Sequence, residues 1–425
     1  MSRFGDFLTQ VRTGFTRSFW VANVLELFER FAYYGSKAIL AIYVAEQVGL
    51  GPERAGWLVG SFFNTLLYLL PILAGTVVDR YGFKKSLMAC FAIFSLGYFL
   101  IGFAGLPAGQ PLVNALGKNG YMILALLISA IGGSLIKPSI VGTVARTTSE
   151  ETKGLGYSIY YTLVNLGGAI GPILALQVRE SLGISYVLVM SSLTSLALFF
   201  AAFLFYKEPE RPADAPPAKS MGKVLADMAT VFRNWRFVAF LVIFSGFWVM
   251  FWQIFYSLPF YVRDVLKFGK FEIIETVDAW TIILVTVPAA ALAKRLKPLT
   301  AMIVGFVLAT GCWFLMGSFP TLTLTVVAIA VFAVGEAIQA PRFYEYVADL
   351  APQEQVGTYM GFAFLPVAIG TFIAGALGGH LVAHYIQGPG AAAPQRMWYV
   401  VGAVGLVSTA LMLAYDRLLV RRRAA

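Results

Sequence analysis

The chain has 425 residues, of which 59% are apolar and 13% charged, and a formal net charge of +10. That composition excludes a water-soluble globule and fits an all-α, polytopic membrane protein. The positive balance implies no nucleic-acid partner, because the basic residues gather at the ends of apolar stretches, where membrane topology needs them.

In chain order, residues 1–19 interleave Arg3, Arg12 and Arg17 with Phe4, Phe7 and Phe15, as in a short interfacial helix on the cytoplasmic leaflet. The apolar run that follows is too long for a cleavable signal and no small-residue cleavage site closes it. The first span runs from Trp20 to Val44, and further spans are expected at about 55 to 78, 86 to 104, 121 to 146, 155 to 178 and 184 to 206. Residues 207–235 then break the hydrophobicity with KEPERPADAPPAKS, too polar to cross a bilayer and too Pro-rich for a packed core. Six more spans are expected at about 236 to 262, 274 to 293, 298 to 318, 321 to 343, 355 to 381 and 396 to 418, ahead of a basic tail at 419–425.

The organisation is therefore a six-helix bundle at 20–206, a linker at 207–235 and a second six-helix bundle at 236–418. Lys and Arg fall mainly in the loops on the side of the two termini, which places both termini and the linker in the cytoplasm. Six spans, a linker and six spans match a transporter whose halves rock about a midplane site.

The first span is unusual in holding ELFERFAYYGSK, Glu26 to Lys37. On a helix Glu26, Arg30, Tyr33 and Lys37 share one face, with Glu29 and Tyr34 at its margins. Ionisable groups in a span are a functional hypothesis by default, the alternative being a structural ion-pair knot. The other charges within spans are Lys137 on the fourth and Glu336 on the tenth, so cations dominate the first half and a lone carboxylate stands in the second. A cavity between such halves would suit a zwitterion. Arg30 and Lys37 are roughly 10 Å apart along a helix, and an extended peptide advances ~3.5 Å per residue, so ligands of two or three residues suit the spacing.

Coupling to protons follows from the same charges. The proton occupancy of a carboxylate in a low-dielectric cavity depends on whether its neighbouring cation is engaged elsewhere. A substrate carboxylate that takes Arg30 deprives Glu26 or Glu29 of a partner, and that acid then holds a proton more readily. Glu336 would act similarly opposite Lys137. Tyr33 and Tyr34 read equally as packing aromatics.

Between the second and third spans, GTVVDRYGFKK (Gly75 to Lys85) resembles the loop signature of the major facilitator superfamily. The resemblance implies a gate latch in which Asp79, beside Arg80, pairs with basic groups or helix termini, Arg146 being a partner of suitable position. ELFERFAYYGSK is similar to the ExxERFxYYG signature of the proton-dependent oligopeptide transporters. Ile136 to Pro138 (IKP), Tyr160 to Gly168 (YYTLVNLGG) and Gly335 to Gly370 resemble further stretches of that family in the same order. The resemblance implies a major facilitator fold and proton symport of di- and tripeptides. It assigns the substrate carboxylate to Arg30, Lys37 and Lys137, the amino end to Glu336, and hydrogen bonds to Tyr33, Tyr34, Tyr160 and Asn165. The sequence departs from the family on the seventh span, where GFWVMFWQIFY (Gly246 to Tyr256) carries no acid. Trp248, Trp252 and Tyr256 there are candidates for side-chain pockets or for core packing.

Cys90 and Cys312 lie in separate spans, so neither a disulfide nor a cysteine metal site is indicated. His380 and His384 stand one turn apart without an evident third ligand, no phosphate loop of the GxxxxGK type occurs, and no cofactor is expected. The expected partners are protons, a small zwitterionic peptide and the lipid bilayer, for a monomer in a bacterial inner membrane. The alternatives are a carrier of the same architecture for an amino acid, a nucleoside or a drug, which the missing seventh-span acid favours, and a receptor or scaffold, which has no need of buried charge. An enzyme is disfavoured because no nucleophile and base, or metal cluster, lies within a span.

Overall fold

A computed structural model describes residues 11, 13–149, 151–210 and 221–421 of the chain. Arg3, Phe4, Phe7 and Arg12 of the expected interfacial helix lie outside the described residues, as do the Pro-rich core of the linker and the last of the basic tail.

Every element among the described residues is helical. Among the described residues eleven helices are long and apolar enough to cross a membrane. They are α2 (Pro52–Tyr81), α3 (Phe83–Phe103), α4 (Lys118–Thr147), α5 (Lys153–Leu182), α6 (Ile184–Phe205), α7 (Trp235–Val265), α8 (Phe271–Ala293), α9 (Pro298–Ser318), α10 (Leu322–Leu350), α11 (Tyr359–Tyr385) and α12 (Pro394–Val420). Ahead of them α1 (Arg17–Ile42) has 26 residues, length enough to span, and the charges of Glu26, Glu29, Arg30 and Lys37 along its middle keep it out of that count. The chain is a multi-pass membrane protein. Several helices run beyond the apolar stretch, α10 to Leu350 for instance, because hydropathy marks the edge of the hydrocarbon and not the last hydrogen-bonded turn. Abrupt boundaries fall at Gly82 and Gly183, whose φ of 85° and 105° let one residue turn the chain between α2 and α3 and between α5 and α6. Within the expected linker, Met221–Phe232 forms a further helix. That segment lacks the prolines of the preceding stretch and buries Val231.

The chain divides by packing into two compact units, Met1–Ser36 with Leu70–Met221, and Lys37–Leu69 with Gly222–Ala425. The packing boundary thus runs through α1 and α2 as well as through the linker.

In the first unit small and hydroxylic residues set the helix contacts. Gly35 of α1 faces Gly171 of α5, where an added Cβ would stand 3.0 Å from the Gly171 carbonyl oxygen. Ser36 donates to the Ala32 carbonyl at 2.8 Å and meets Ser191 of α6 at 2.7 Å. Such small-residue seams let backbones approach where lipid offers no hydrophobic drive.

The second unit has an alanine-rich core where α8, α9 and α10 meet, formed by Ile282, Ala289, Ala293, Ala301, Ala333, Ala337 and Ile338. Phe244 and Phe247 of α7 stack on Phe343 and Phe332, with centroids 4.2 and 5.1 Å apart. The N-terminal half of α2 packs on α11 through glycines. A Cβ on Gly375 would lie 2.5 Å from the Gly56 carbonyl oxygen and 2.6 Å from the Gly60 Cα, and one on Gly379 would lie 2.6 Å from the Pro52 carbonyl oxygen. Asn64 donates to the Tyr256 hydroxyl at 2.6 Å, Tyr256 meets Thr371 at 2.6 Å, and Thr371 donates to the Gly60 carbonyl at 3.3 Å. Trp57–Asn64 of α2 is π-helical, as are Tyr43–Gln47 after α1 and Tyr261–Val265 at the end of α7. The two latter turns carry Glu46 and Arg263, and both terminal nitrogens of Arg263 donate to the Glu46 carboxylate.

Candidate functional site

In the first unit α1 turns Glu26, Glu29 and Arg30 inward, with 0%, 1% and 6% of their surface exposed. The Arg30 Nε lies 2.5 Å from Glu29 Oε2 and 3.4 Å from Glu26 Oε1. Both Glu26 oxygens and Glu29 Oε1 are buried without a hydrogen bond. One guanidinium serves two carboxylates, and the balancing charge within electrostatic reach is Lys137. Two carboxylates, Arg30 and Lys137 sum to zero, which lowers the cost of burying them. The guanidinium also lies 4.6 Å from the Tyr33 ring centroid, and Tyr33 meets Tyr34 edge to face.

Local sequence explains why these groups converge. Pro138 has no amide hydrogen to give the Ser134 carbonyl, α4 tightens at Leu135, whose amide donates to the Gly132 carbonyl at 3.2 Å, and Lys137 emerges just past that turn half-buried. Gly167 of α5 leaves room for the Arg30 side chain, which any Cβ there would strike. The Asn-Leu-Gly-Gly run thus acts first as a packing surface. Asn165 Nδ2 donates to the Tyr161 carbonyl of its own helix at 2.8 Å. Tyr160 packs against the Phe15, Phe19 and Val144 cluster, within electrostatic reach of Glu26 and Arg30.

Lys37 belongs to the second unit. Only 7% exposed, it points its ammonium at an aromatic cage on α7, 3.6 Å from the Phe255 centroid, 4.0 Å from Trp252 and 5.7 Å from Phe251. Cation–π attraction is strongest for Trp and grows with desolvation. The acid-free stretch 246–256 of α7 therefore faces this cation with rings. Trp252 also stacks on Tyr256 at 5.6 Å, while Trp248 sits edge-on to Phe251 at 5.1 Å with its Nε1 buried and unbonded.

Glu336 on α10 is half-buried, with Oε2 lacking a hydrogen bond. It is not a lone carboxylate, and that expectation needs correction. Asp278 of α8 acts on it electrostatically, as does Lys37. Glu272 and Glu275 are buried on the same helix, and Lys37 reaches Glu275 and Asp278 as well. Sequence reasoning passed over these acids because Ile273, Ile274 and Val277 keep the window apolar. Their i, i+3, i+6 spacing, which holds them to one side of a helix, was the available signal.

At the turn between α2 and α3, Asp79 and Arg80 are exposed, and Arg80 leans on the Tyr81 ring at 5.7 Å. Arg146 lies 4.2 Å from the Phe83 centroid. The acid that caps this turn is Glu208, just past α6, whose oxygens accept from the Phe83 and Lys84 amides at 2.8 and 2.6 Å. Free amides at a helix start favour such a carboxylate. Among the described residues no group of three metal-ligating side chains occurs, and His380 Nδ1 lies 3.2 Å from Glu53 Oε1.

The family model of the Major Facilitator Superfamily matches residues 24–275 and 271–424. The chain belongs to the Major Facilitator Superfamily. Among its relatives in that superfamily is the multidrug resistance protein MdtH of Sodalis glossinidius (strain morsitans), 25% identical over 364 residues, 84% of each chain. The di-/tripeptide transporter of Lactococcus lactis subsp. cremoris is 29% identical over 210 residues, 45% of this chain and 39% of that one. A POT family transporter solved in complex with 5-aminolevulinic acid superposes with a TM-score of 0.77 at 17% identity, covering 94% of this chain and 96% of that one. The major facilitator fold expected from the sequence is thus the observed one, and the protein is a superfamily transporter.

Proposed function

We propose that this superfamily member is a proton-coupled importer of di- and tripeptides that works by alternating access, as a monomer with both termini in the cytoplasm of a bacterial inner membrane. The observation that carries the proposal is the buried Glu26, Glu29 and Arg30 triplet, in which one guanidinium serves two carboxylates with unfilled acceptor positions. A substrate carboxylate that engages Arg30 frees an acid to take a proton, which ties the solute to the ion. In this scheme Arg30, Lys37 and Lys137 take the carboxylate end of the peptide and Glu336 the amino end. Tyr33, Tyr34, Tyr160 and Asn165 supply hydrogen bonds, Trp248 and Trp252 line side-chain pockets, and Asp79, Arg80 and Arg146 serve the gate.

A second candidate is a carrier for a drug-like or other small solute. It is favoured by the aromatic face that α7 presents to Lys37, and by the length over which the multidrug resistance relative matches. Uptake into liposomes under an inward proton gradient separates the two. Labelled dialanine is expected to accumulate while free alanine and a nucleoside do not, and Glu336→Gln and Lys137→Ala each abolish accumulation. A protein that leaves dialanine outside while moving another solute belongs to the second class.

A further inference from the structure

We propose that Glu275 and Asp278 of α8 form the proton-carrying site of the second unit, with Lys37 as the cation that governs their charge. Glu275 is 3% exposed and both its oxygens are buried without a hydrogen bond. Asp278 Oδ1 and Glu336 Oε2 are buried and unbonded as well. These acids sit on α8 and α10, which pack together through the alanine core. The charges acting on Glu275 are Glu272 on its own helix and Lys37 of α1, those acting on Glu336 are Asp278 and Lys37, and Asp278 lies within electrostatic reach of Lys37, Glu336 and the Cys312 thiol of α9.

An ionised carboxylate with no donor in an apolar interior is costly, and either a proton or a cation removes the cost. Lys37 acts electrostatically on Glu275, Asp278 and Glu336 alike, and a single ammonium cannot compensate three carboxylates. Its aromatic cage is a weaker hold than a carboxylate, so Lys37 can leave the rings for an acid. The cycle then has two balanced arrangements. In one, Lys37 is caged and the carboxylate has taken H⁺ to become the neutral acid. In the other, that H⁺ is released and Lys37 pairs with the carboxylate.

The inference rests on the transport function proposed above, and its test can be scored apart from it. Full-length protein in nanodiscs is titrated by infrared spectroscopy. The wild type is expected to show a protonated-carboxyl C=O band that fades as pH rises, and the E275Q and D278N variants are each expected to lose part of it. In liposomes both variants are expected to lose the excess of gradient-driven dialanine accumulation over equal-pH counterflow. A folded E275Q/D278N double variant with the full band, or with wild-type accumulation, overturns the proposal. If the wild type moves no dialanine, the peptide function fails while the infrared comparison still decides the site. Should the variants not fold, dicyclohexylcarbodiimide labelling of the wild type replaces them. An adduct on Glu275 or Asp278 that diminishes as pH rises supports the proposal, and unmodified acids at low pH overturn it.

Discussion

Lys37 and Trp252 meet as cation and ring, the ammonium 4.0 Å from the indole centroid. Replacing Trp252 by Leu is expected to weaken that contact by about 1 kcal/mol, within the range for partly desolvated cation–π pairs. In a double-mutant cycle with Lys37→Met, followed by thermal unfolding in detergent, the two substitutions should be less costly together than their sum. Strict additivity would show that ring and ammonium do not interact.

Arg30 holds Glu26 and Glu29 with one planar fork. Lysine cannot reproduce that geometry, because its ammonium is a single point of charge. Arg30→Lys is therefore expected to lower dialanine uptake by about tenfold or more, the equivalent of roughly 1.4 kcal/mol. Retention of wild-type uptake would show that the fork is dispensable.

Glu208 caps the start of α3 through the Phe83 and Lys84 amides. Glu208→Ala should destabilise that end by about 1 kcal/mol, the usual cost of a lost helix cap. Limited trypsin digestion reads this directly, since Lys84 and Lys85 lie at the uncapped turn. Cleavage there should accelerate in the variant, and an unchanged rate would assign the capping role to solvent.

The bidentate Arg263–Glu46 pair joins two π-helical turns of the second unit. Arg263 is also bound by Asp264 at 2.7 Å, so it keeps a partner when Glu46 is neutralised. Glu46→Gln should cost only about 0.5–1 kcal/mol, as expected for a partly exposed pair, and the loss should shrink at high salt. Melting curves at low and high ionic strength give the comparison. A penalty independent of salt would point to packing instead of charge.

Much of this organisation could be read from residues alone. The spans followed from apolar runs, and the inward charges of α1 followed from their common helical face. Arg30, Glu26 and Glu29 were legible because they interrupt a span openly. Glu275 and Asp278 were not, since aliphatic neighbours masked them in an averaged window. The cage around Lys37 was invisible for a different reason. Aromatic residues on α7 look alike in sequence, and only packing distinguishes Trp252 and Phe255, which face a cation, from Phe244, which fills a core. The cap from Glu208 to Phe83 was likewise out of reach, since 125 positions separate the partners.

The glycine contacts also separate tight positions from loose ones. Gly375→Ala should destabilise the protein by about 1–3 kcal/mol through overpacking. Gly311, with open space beside it, should accept alanine at no cost or with a gain of up to ~1 kcal/mol. Equal melting temperatures for the two variants would contradict the tight fit at Gly375.

Where Gly56, Gly60, Gly375 and Gly379 lie main chain against main chain, no rotamer can swing aside to ease a partial separation. Dispersion between bare backbones decays within a fraction of an ångström. A joint of this kind is either made or lost, with little in between, and so behaves as a snap fastener instead of a spring.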